Sequence, residues 1–182
     1  MKKLSIWFTA LLIAAGLGII IPGPASAATS YCGLTWGSLA KAAPDTGAGS
    51  VTNVRSGRQA CYDRLVIDLN GRTDGYRVEY VGVITSDGKG EVIPVRGGAR
   101  LRIVALAPAY NDSGSATYLP ANPKEVVNVA GYQTFRQVVW AGSYEGQTTL
   151  GLGVRARLPF RAFTLVGPGG GSRLVIDVAH FW

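Results

Sequence analysis

The sequence predicts an all-β protein, a β-sandwich of two packed and mainly antiparallel sheets. Apolar and polar residues alternate with a period of two over most of the chain after residue 50. Tight-turn pairs such as Asn70-Gly71 and Asp87-Gly88 separate the alternating stretches. No helical period of ten or more residues occurs between residue 28 and the last residue. Together these features favour a sandwich, with a partly open barrel as the alternative.

The first 27 residues have the pattern of a secretory signal peptide. Lys2 and Lys3 precede an apolar run from Leu4 to Ile21, and the helix breakers of 22–24 lead into Ala25-Ser26-Ala27, a cleavage site of the A-x-A type. An uncleaved membrane anchor is the alternative, since the run is just about long enough to span a bilayer. We expect cleavage and a secreted protein, extracellular or wall-associated, with no membrane attachment afterwards.

The predicted organisation is a signal peptide at 1–27, an N-terminal segment with Cys32 at 28–50 and a β-sandwich domain at 51–182. Removal of 27 residues leaves 155, a length that suits one domain with one core. The remainder has a net charge of +5, and 13 of its 16 cations are arginine. Arginine favours planar, bidentate contacts with carboxylate or phosphate.

The two cysteines are predicted to form a disulfide, because two cysteines in a small secreted domain usually pair. A bridge between Cys32 and Cys61 closes a loop for which chain entropy gives about 3.5 kcal/mol of stabilisation. The alternative is a reactive thiol, but the only histidine, His180, lies at the far end of the chain.

The elements follow in order from the N-terminal segment. Residues 32–41 favour a short helical turn, 42–50 a loop, and 107–125 a long irregular connection that is either functional or mobile. Strands are predicted at 51–55, 61–69, 76–80, 91–96, 100–105, 125–130, 134–141, 150–158, 160–166 and 172–179.

One hexapeptide occurs twice, as RLVIDL at 64–69 and RLVIDV at 173–178. Arg and Asp within one copy lie four residues apart, about 13 Å along a strand, which is too far for a salt bridge. If the copies pair antiparallel with Val66 opposite Val175, each Arg faces the Asp of the other copy. We therefore predict adjacent strands and two related halves about a pseudo-twofold axis.

The sequence offers no motif for catalysis, a metal or a cofactor. His180 follows Asp177 by three residues, so the two side chains point to opposite faces of a strand and are badly placed for a catalytic relay. One histidine and two paired cysteines leave no zinc set, and the glycine-rich stretch 167–172 precedes no helix that would hold phosphate. We expect no enzyme, although paired carboxylates for glycoside cleavage stay open.

Two arginine pairs are the candidate binding residues. Arg100 and Arg102 share one face of their predicted strand, as do Arg155 and Arg157. The functional interpretation is a basic surface for an anionic polymer; the alternative is a solvated outer face with cross-strand partners. Nucleic acid is not an expected partner of a secreted chain without basic aromatic motifs. Wall polymers that carry carboxylate or phosphate are the natural anions outside a bacterial membrane.

At 61–69, 76–81 and 159–180 the sequence resembles the AMIN-like family of secreted and lipid-anchored actinobacterial proteins, related to the AMIN domain of cell-wall amidases and pilus secretins. The stretch CGLTWGSL at 32–39 is similar to the opening of that family. The resemblance implies a two-sheet sandwich and a non-catalytic envelope module that binds peptidoglycan or another anionic wall polymer. An envelope protein as the partner, or a secreted hydrolase, are the alternatives.

Overall fold

A computed structural model describes residues 31–45, 47–72 and 74–182, and the predicted signal peptide lies outside these residues. No helix among the described residues has the length and apolarity to cross a bilayer. The described chain forms strands and two 3₁₀ turns, at Tyr31–Gly33 and Pro168–Gly170. The strands are β1 (Lys41–Ala43), β2 (Gly49–Arg58), β3 (Tyr62–Gly71), β4 (Tyr76–Val81), β5 (Ile84–Thr85), β6 (Val92–Ile93), β7 (Ala99–Ala105), β8 (Phe135–Tyr144), β9 (Gln147–Val154), β10 (Phe160–Val166) and β11 (Ser172–Ala179).

Two antiparallel sheets pack face to face, as the alternation predicts. One has five strands in the order β1-β4-β7-β9-β8, and the other has four in the order β10-β11-β3-β2. Strands β5 and β6 form a separate two-stranded ribbon. The predicted all-β sandwich is confirmed.

The core lies between the two sheets and is built from one face of each strand. On β3, Leu65 and Ile67 are fully buried, and on β7 so are Leu101 and Ile103. Burial of each such side chain contributes about 1.5–3 kcal/mol. The other large, fully buried apolar side chains of this cluster are Phe135, Leu150, Leu152, Phe160, Leu174 and Ile176.

The repeated hexapeptide forms the centre of the four-stranded sheet. β3 and β11 pair antiparallel, with Val66 opposite Val175, Arg64 opposite Asp177 and Arg173 opposite Asp68. The predicted register is therefore confirmed. A local twofold relates the hairpin β2–β3 to the hairpin β10–β11. The predicted relation of two halves does not extend to the five-stranded sheet, because its central strand β7 has no second strand with which a twofold axis could exchange it.

Three predicted strands differ from the structure. Of the strand predicted at 91–96, only Val92–Ile93 is a strand. Residues 125–130 are irregular: Val126 N donates to Val138 O, but Val126 and Val127 pack on the core from a segment between Pro123 and Gly131 rather than from a sheet. The strand predicted at 150–158 ends at Val154, where Arg155 N turns to donate to Thr134 O. A bend then returns Leu158 to the core.

The N-terminal segment is tied to the sandwich at both ends. The Cys32–Cys61 disulfide is present as predicted and joins the segment to the residue before β3. Of the helical turn predicted at 32–41, only Cys32 and Gly33 lie in a 3₁₀ turn, Tyr31–Gly33. The chain then runs irregularly to β1, where Lys41 pairs with Val78.

The ribbon β5–β6 covers the outer face of the five-stranded sheet. Its Ile84 packs with Val95, Val139 and Ala141 in a second apolar cluster. Glycines on β9 allow this cover to lie close: a Cβ at Gly151 would lie 2.9 Å from Ile84 Cγ1 of the ribbon, and one at Gly153 only 1.8 Å from the Arg96 carbonyl oxygen, in the segment after the ribbon. A larger residue at either outward position would collide with the covering chain.

Candidate functional site

The predicted pair Arg100 and Arg102 projects from the outer face of β7. Arg102 forms a salt bridge with Glu79 of the neighbouring β4. Arg100 Nε donates to the Val95 carbonyl oxygen at 3.2 Å, beside the ribbon. Both arginines thus have partners within the five-stranded sheet and its cover.

The predicted pair Arg155 and Arg157 lies in the bend after β9, where both residues are exposed. Arg155 donates to the His180 carbonyl oxygen and lies over the Phe181 ring. Arg157 lies 4.9 Å from the Tyr80 ring centroid, and its Nη2 donates to the Ser38 carbonyl oxygen at 3.1 Å. The two predicted pairs therefore make contacts with different neighbours and do not form one stripe.

The predicted contact loop at 107–125 closes onto β2. Val51 N donates to the Pro108 carbonyl oxygen, and Thr117 Oγ1 donates to the Val51 carbonyl oxygen, both at 2.8 Å. Ala107 and Ala109 are buried in the core. The first half of the loop is therefore an anchored extension of the sandwich.

The outer face of the four-stranded sheet holds a different combination of side chains, and we call it the open face. The residues opposite to the core-facing ones carry charge and apolar surface on neighbouring strands. They are Arg55 of β2, Arg64, Val66 and Asp68 of β3, Arg161, Phe163 and Leu165 of β10, and Arg173, Val175 and Asp177 of β11.

At one end of the open face, Asp177 is held between two arginines. Arg64 Nε and Nη2 donate to its two oxygens at 2.6 and 2.9 Å, and Arg161 Nε donates at 2.8 Å. The Asp177 side chain is 0% exposed, whereas Arg64 and Arg161 are 27% and 39% exposed. The hydrogen bond to Asp177 raises the pKa of Arg64 above its usual value. Two fixed cations therefore cover one buried carboxylate.

Aromatic rings surround these two cations. Arg161 Cζ lies 4.5 Å from the ring centroid of Trp36, 4.7 Å from that of Phe163 and 5.6 Å from that of Tyr62. Arg64 Cζ lies 5.3 Å from the Tyr62 ring centroid, so all four contacts are within cation–π range. We call Trp36, Tyr62, Arg64, Arg161, Phe163 and Asp177 the arginine–aromatic cluster.

The N-terminal segment brings Trp36 into this cluster. The disulfide fixes Cys32 beside Cys61, which precedes Tyr62. Gly37 O accepts a hydrogen bond from Phe160 N at 3.1 Å, next to Arg161. The Trp36 and Tyr62 rings then lie 5.4 Å apart. Sequence reasoning missed the cluster, although the alternation in 160–166 places Arg161 and Phe163 on one face.

A buried Asp–His pair lies apart from the open face and was also missed. His180 Nε2 is 3.2 Å from Asp63 Oδ1, and these side chains are 2% and 0% exposed. Asp63 Oδ2 accepts hydrogen bonds from Thr134 N and Phe135 N at 2.6 and 3.1 Å. The pair therefore links the end of β11 to the start of β8.

Nothing in the described part of the chain groups three or more His, Cys, Asp or Glu residues as a metal site would need. His180 and Asp177 have separate partners, since the arginines hold Asp177 on the outer face. The His180 ring instead lies in the interior beside Asp63.

The fold defines a class of protein, a two-sheet antiparallel β-sandwich with a ribbon over the outer face of its five-stranded sheet. The family model of the AMIN-like domain matches residues 49–180, and the chain belongs to that family. AMIN-like domains occur in cell-envelope proteins, and AMIN domains are associated with cell-wall amidases and secretins. Membership suggests a cell-wall-related module. Neither a curated protein nor a solved structure matched the chain significantly.

Proposed function

We propose that this protein is a secreted, non-catalytic module of the cell envelope that binds peptidoglycan or another anionic wall polymer through the open face. The observation that carries the proposal is the arginine–aromatic cluster. It presents two partly exposed guanidinium groups, those of Arg64 and Arg161, between three aromatic rings on the outer face of the four-stranded sheet.

The chemistry of the cluster suits a charged glycan. A guanidinium offers parallel donors that match a carboxylate or a phosphate. Aromatic rings such as Trp36 pack against the apolar C–H face of a sugar ring. Because Asp177 already fixes Arg64 and Arg161, binding immobilises little further side-chain freedom.

The non-catalytic part of the proposal is supported by the state of the acids and of the one histidine. His180 and Asp63 are buried together, and the backbone at 134–135 saturates one oxygen of Asp63. Asp68 and Asp177 pair with arginines. These groups act in our proposal as structural links within and between the strands.

The proposal also assigns a role to the second predicted arginine pair. The Arg157 side chain contacts Ser38, two residues after Trp36. The carbonyl oxygen of Arg157 accepts a hydrogen bond from the Trp182 ring N–H at 3.0 Å. Trp182 is 68% exposed. We propose that Arg157 and Trp182 extend the binding surface from the cluster towards the end of the sandwich.

Co-sedimentation with purified cell walls tests the proposal. We expect the protein in the pellet at low salt, with release as the ionic strength rises because salt screens exposed charges. The double variant Trp36→Ala with Arg161→Gln should weaken wall binding about ten-fold, which corresponds to about 1.4 kcal/mol.

Arg102→Gln is the matched control, because it removes a half-exposed arginine that lies on the five-stranded sheet and pairs with one acidic residue, Glu79. This variant should bind walls like the unmodified protein. Recovery of the unmodified protein entirely in the supernatant at low salt would overturn the proposal. If the protein captured a single envelope protein and did not bind walls, its ligand would be that protein and not a wall polymer.

A further inference from the structure

The second end of the open face is built around Asp68, the aspartate of the first hexapeptide copy. Arg55 Nε and Nη2 donate to its two oxygens at 2.8 and 2.9 Å. Asn53 Nδ2 donates to Oδ2 at 3.3 Å. The Asp68 side chain is 24% exposed, whereas Asp177 at the other end is fully buried.

Arg173 is the counterpart of Arg64 under the local twofold. It lies opposite Asp68 in the strand pairing, as Arg64 lies opposite Asp177. Arg64 binds its aspartate, but Arg55 occupies both oxygens of Asp68, and Arg173 forms no salt bridge with it. Within the ranges that the structure describes, the Arg173 guanidinium has no hydrogen-bond, salt-bridge or ring partner.

A cavity of about 450 Å³ lies beside Arg173. Its lining includes polar side chains of β2 and β3 and four residues of the glycine-rich turn, and these are Thr52, Arg55, Asp68, Asn70, Gly167, Pro168, Gly169 and Gly171. This volume falls within the range of small-molecule sites. Because Asp68 neutralises Arg55, Arg173 supplies the net positive charge of the cavity.

We propose that this cavity is an anion subsite that binds one carboxylate or phosphate group of the ligand, with the Arg173 guanidinium as its principal contact. A side chain with parallel N–H donors and no protein partner is suited to bidentate binding of such a group. Three residues that the turn contributes to the cavity lining, Gly167, Gly169 and Gly171, have no side chain.

The subsite deepens the proposed function and rests on it, since both use the open face. Arg64 and Asp68 mark the two ends of the face and lie four residues apart on β3, about 13 Å. A linear polyanion laid along β3 and β11 therefore contacts the cluster with one unit and the subsite with a later one. Its anionic groups bind at both ends.

Two soluble probes test the subsite, inorganic phosphate for a phosphate source and N-acetylmuramic acid for a carboxylate source. Their binding is followed by NMR through the guanidinium N–H signals of Arg173. We expect at least one probe to bind with a dissociation constant in the range of about 1 mM. Binding of only one probe identifies the source, and binding of both leaves a site that accepts either group.

Arg173→Gln should weaken probe binding at least ten-fold, whereas the control Arg102→Gln, on the five-stranded sheet, should change it less than two-fold. Arg173→Lys should give an intermediate loss of probe binding, because lysine keeps the positive charge but lacks the parallel N–H donors of the guanidinium. A thermal unfolding curve of Arg173→Gln that matches the unmodified protein verifies the fold. Unchanged probe binding in Arg173→Gln, or no binding of either probe, would overturn the inference.

Wall co-sedimentation of the same variants separates this inference from the proposed function. If walls bind but neither probe contacts Arg173, the subsite fails and the proposed function stands. If a probe contacts Arg173 but the protein does not bind walls, the anion subsite stands and the proposed function fails. If both hold, Arg173→Gln should weaken wall binding in addition to the loss caused by Trp36→Ala with Arg161→Gln.

Discussion

The two outer faces of the sandwich are built from strands with the same alternation of side chains but differ in what lies on them. A ribbon packs on one face, and charged and aromatic side chains lie on the other. On the five-stranded sheet, Gly151 and Gly153 of β9 let the ribbon β5–β6 and the segment that follows it lie against the strands. On the four-stranded sheet, outward positions carry arginine, aspartate and aromatic side chains. The chain itself covers the first face, and the second is the face that we propose for ligand binding.

The difference teaches that side-chain size at outward positions decides which face of a sheet is covered. A missing Cβ admits the backbone of another strand, whereas a guanidinium that pairs across strands builds a rigid, charged surface. The arrangement of charges on the open face therefore depends on the pairing of its strands. Arg64 and Arg161 meet over Asp177 only because three strands are in register.

Loss of the disulfide is expected to have the largest effect on this comparison. Cys32→Ser with Cys61→Ser removes a loop closure that contributes about 3.5 kcal/mol to the free energy of unfolding. It also frees the segment that carries Trp36, so hydrogen exchange should rise at 32–38. Urea unfolding and hydrogen-exchange mass spectrometry measure the two effects. An unchanged exchange rate at 32–38 would show that Trp36 is held by other contacts.

Removal of one aspartate at a time sharpens the contrast within the open face. Asp177→Ala leaves two arginines without their buried partner and should cost about 3 kcal/mol. Asp68→Ala breaks one exposed pair and should cost about 1 kcal/mol or less. Chemical unfolding of both variants at the same ionic strength gives the comparison. Equal losses in the two variants would show that the burial of Asp177 and the partial exposure of Asp68 make no difference to stability.

Gly153→Ala should disturb the covered face. The added methyl group would lie 1.8 Å from the Arg96 carbonyl oxygen, so the chain before β7 must move away at a cost of about 2 kcal/mol. Gly82→Ala is the matched control, since its Cβ would meet no atom within 4 Å. Thermal unfolding should separate the two variants. The same midpoint for both would show that the covering segment adapts freely.

The smallest effect concerns Asp87 in the turn after β5. Burial raises the pKa of Asp87, although a hydrogen bond with Thr149 and the charge of Arg102 lower it in part. The native state therefore binds a proton more tightly than the unfolded state, and the stability that this proton contributes is lost as pH rises through the native pKa. From pH 4 to pH 7 the unmodified protein should therefore lose stability relative to Asp87→Asn in chemical unfolding. A gain relative to Asp87→Asn over this range would contradict this sign.

Much of the four-stranded sheet was predictable from the sequence. The two hexapeptides fixed their own register, because only one antiparallel alignment brings Arg64 and Arg173 opposite aspartates. The strand at 125–130 was wrong because apolar Val126 and Val127 mimic a strand while packing from an irregular segment. Alternation alone reports burial and not hydrogen bonding.

The candidate site was less predictable, because it depends on contacts across the sequence. Arg161 gains its role from Asp177 on β11 and from Trp36, which a disulfide and one backbone hydrogen bond bring there. Arg100 and Arg102 followed a clear alternation, but their partners lie on the covered sheet. Spacing along one strand could not show which arginines have partners.

Hydrogen exchange with and without soluble wall fragments tests the central claim most directly. The account predicts slower exchange over β2, β3, β10 and β11 and around Trp36 when fragments bind, with no change in the ribbon β5–β6. Protection confined to the ribbon and β7, with none on the open face, would contradict it.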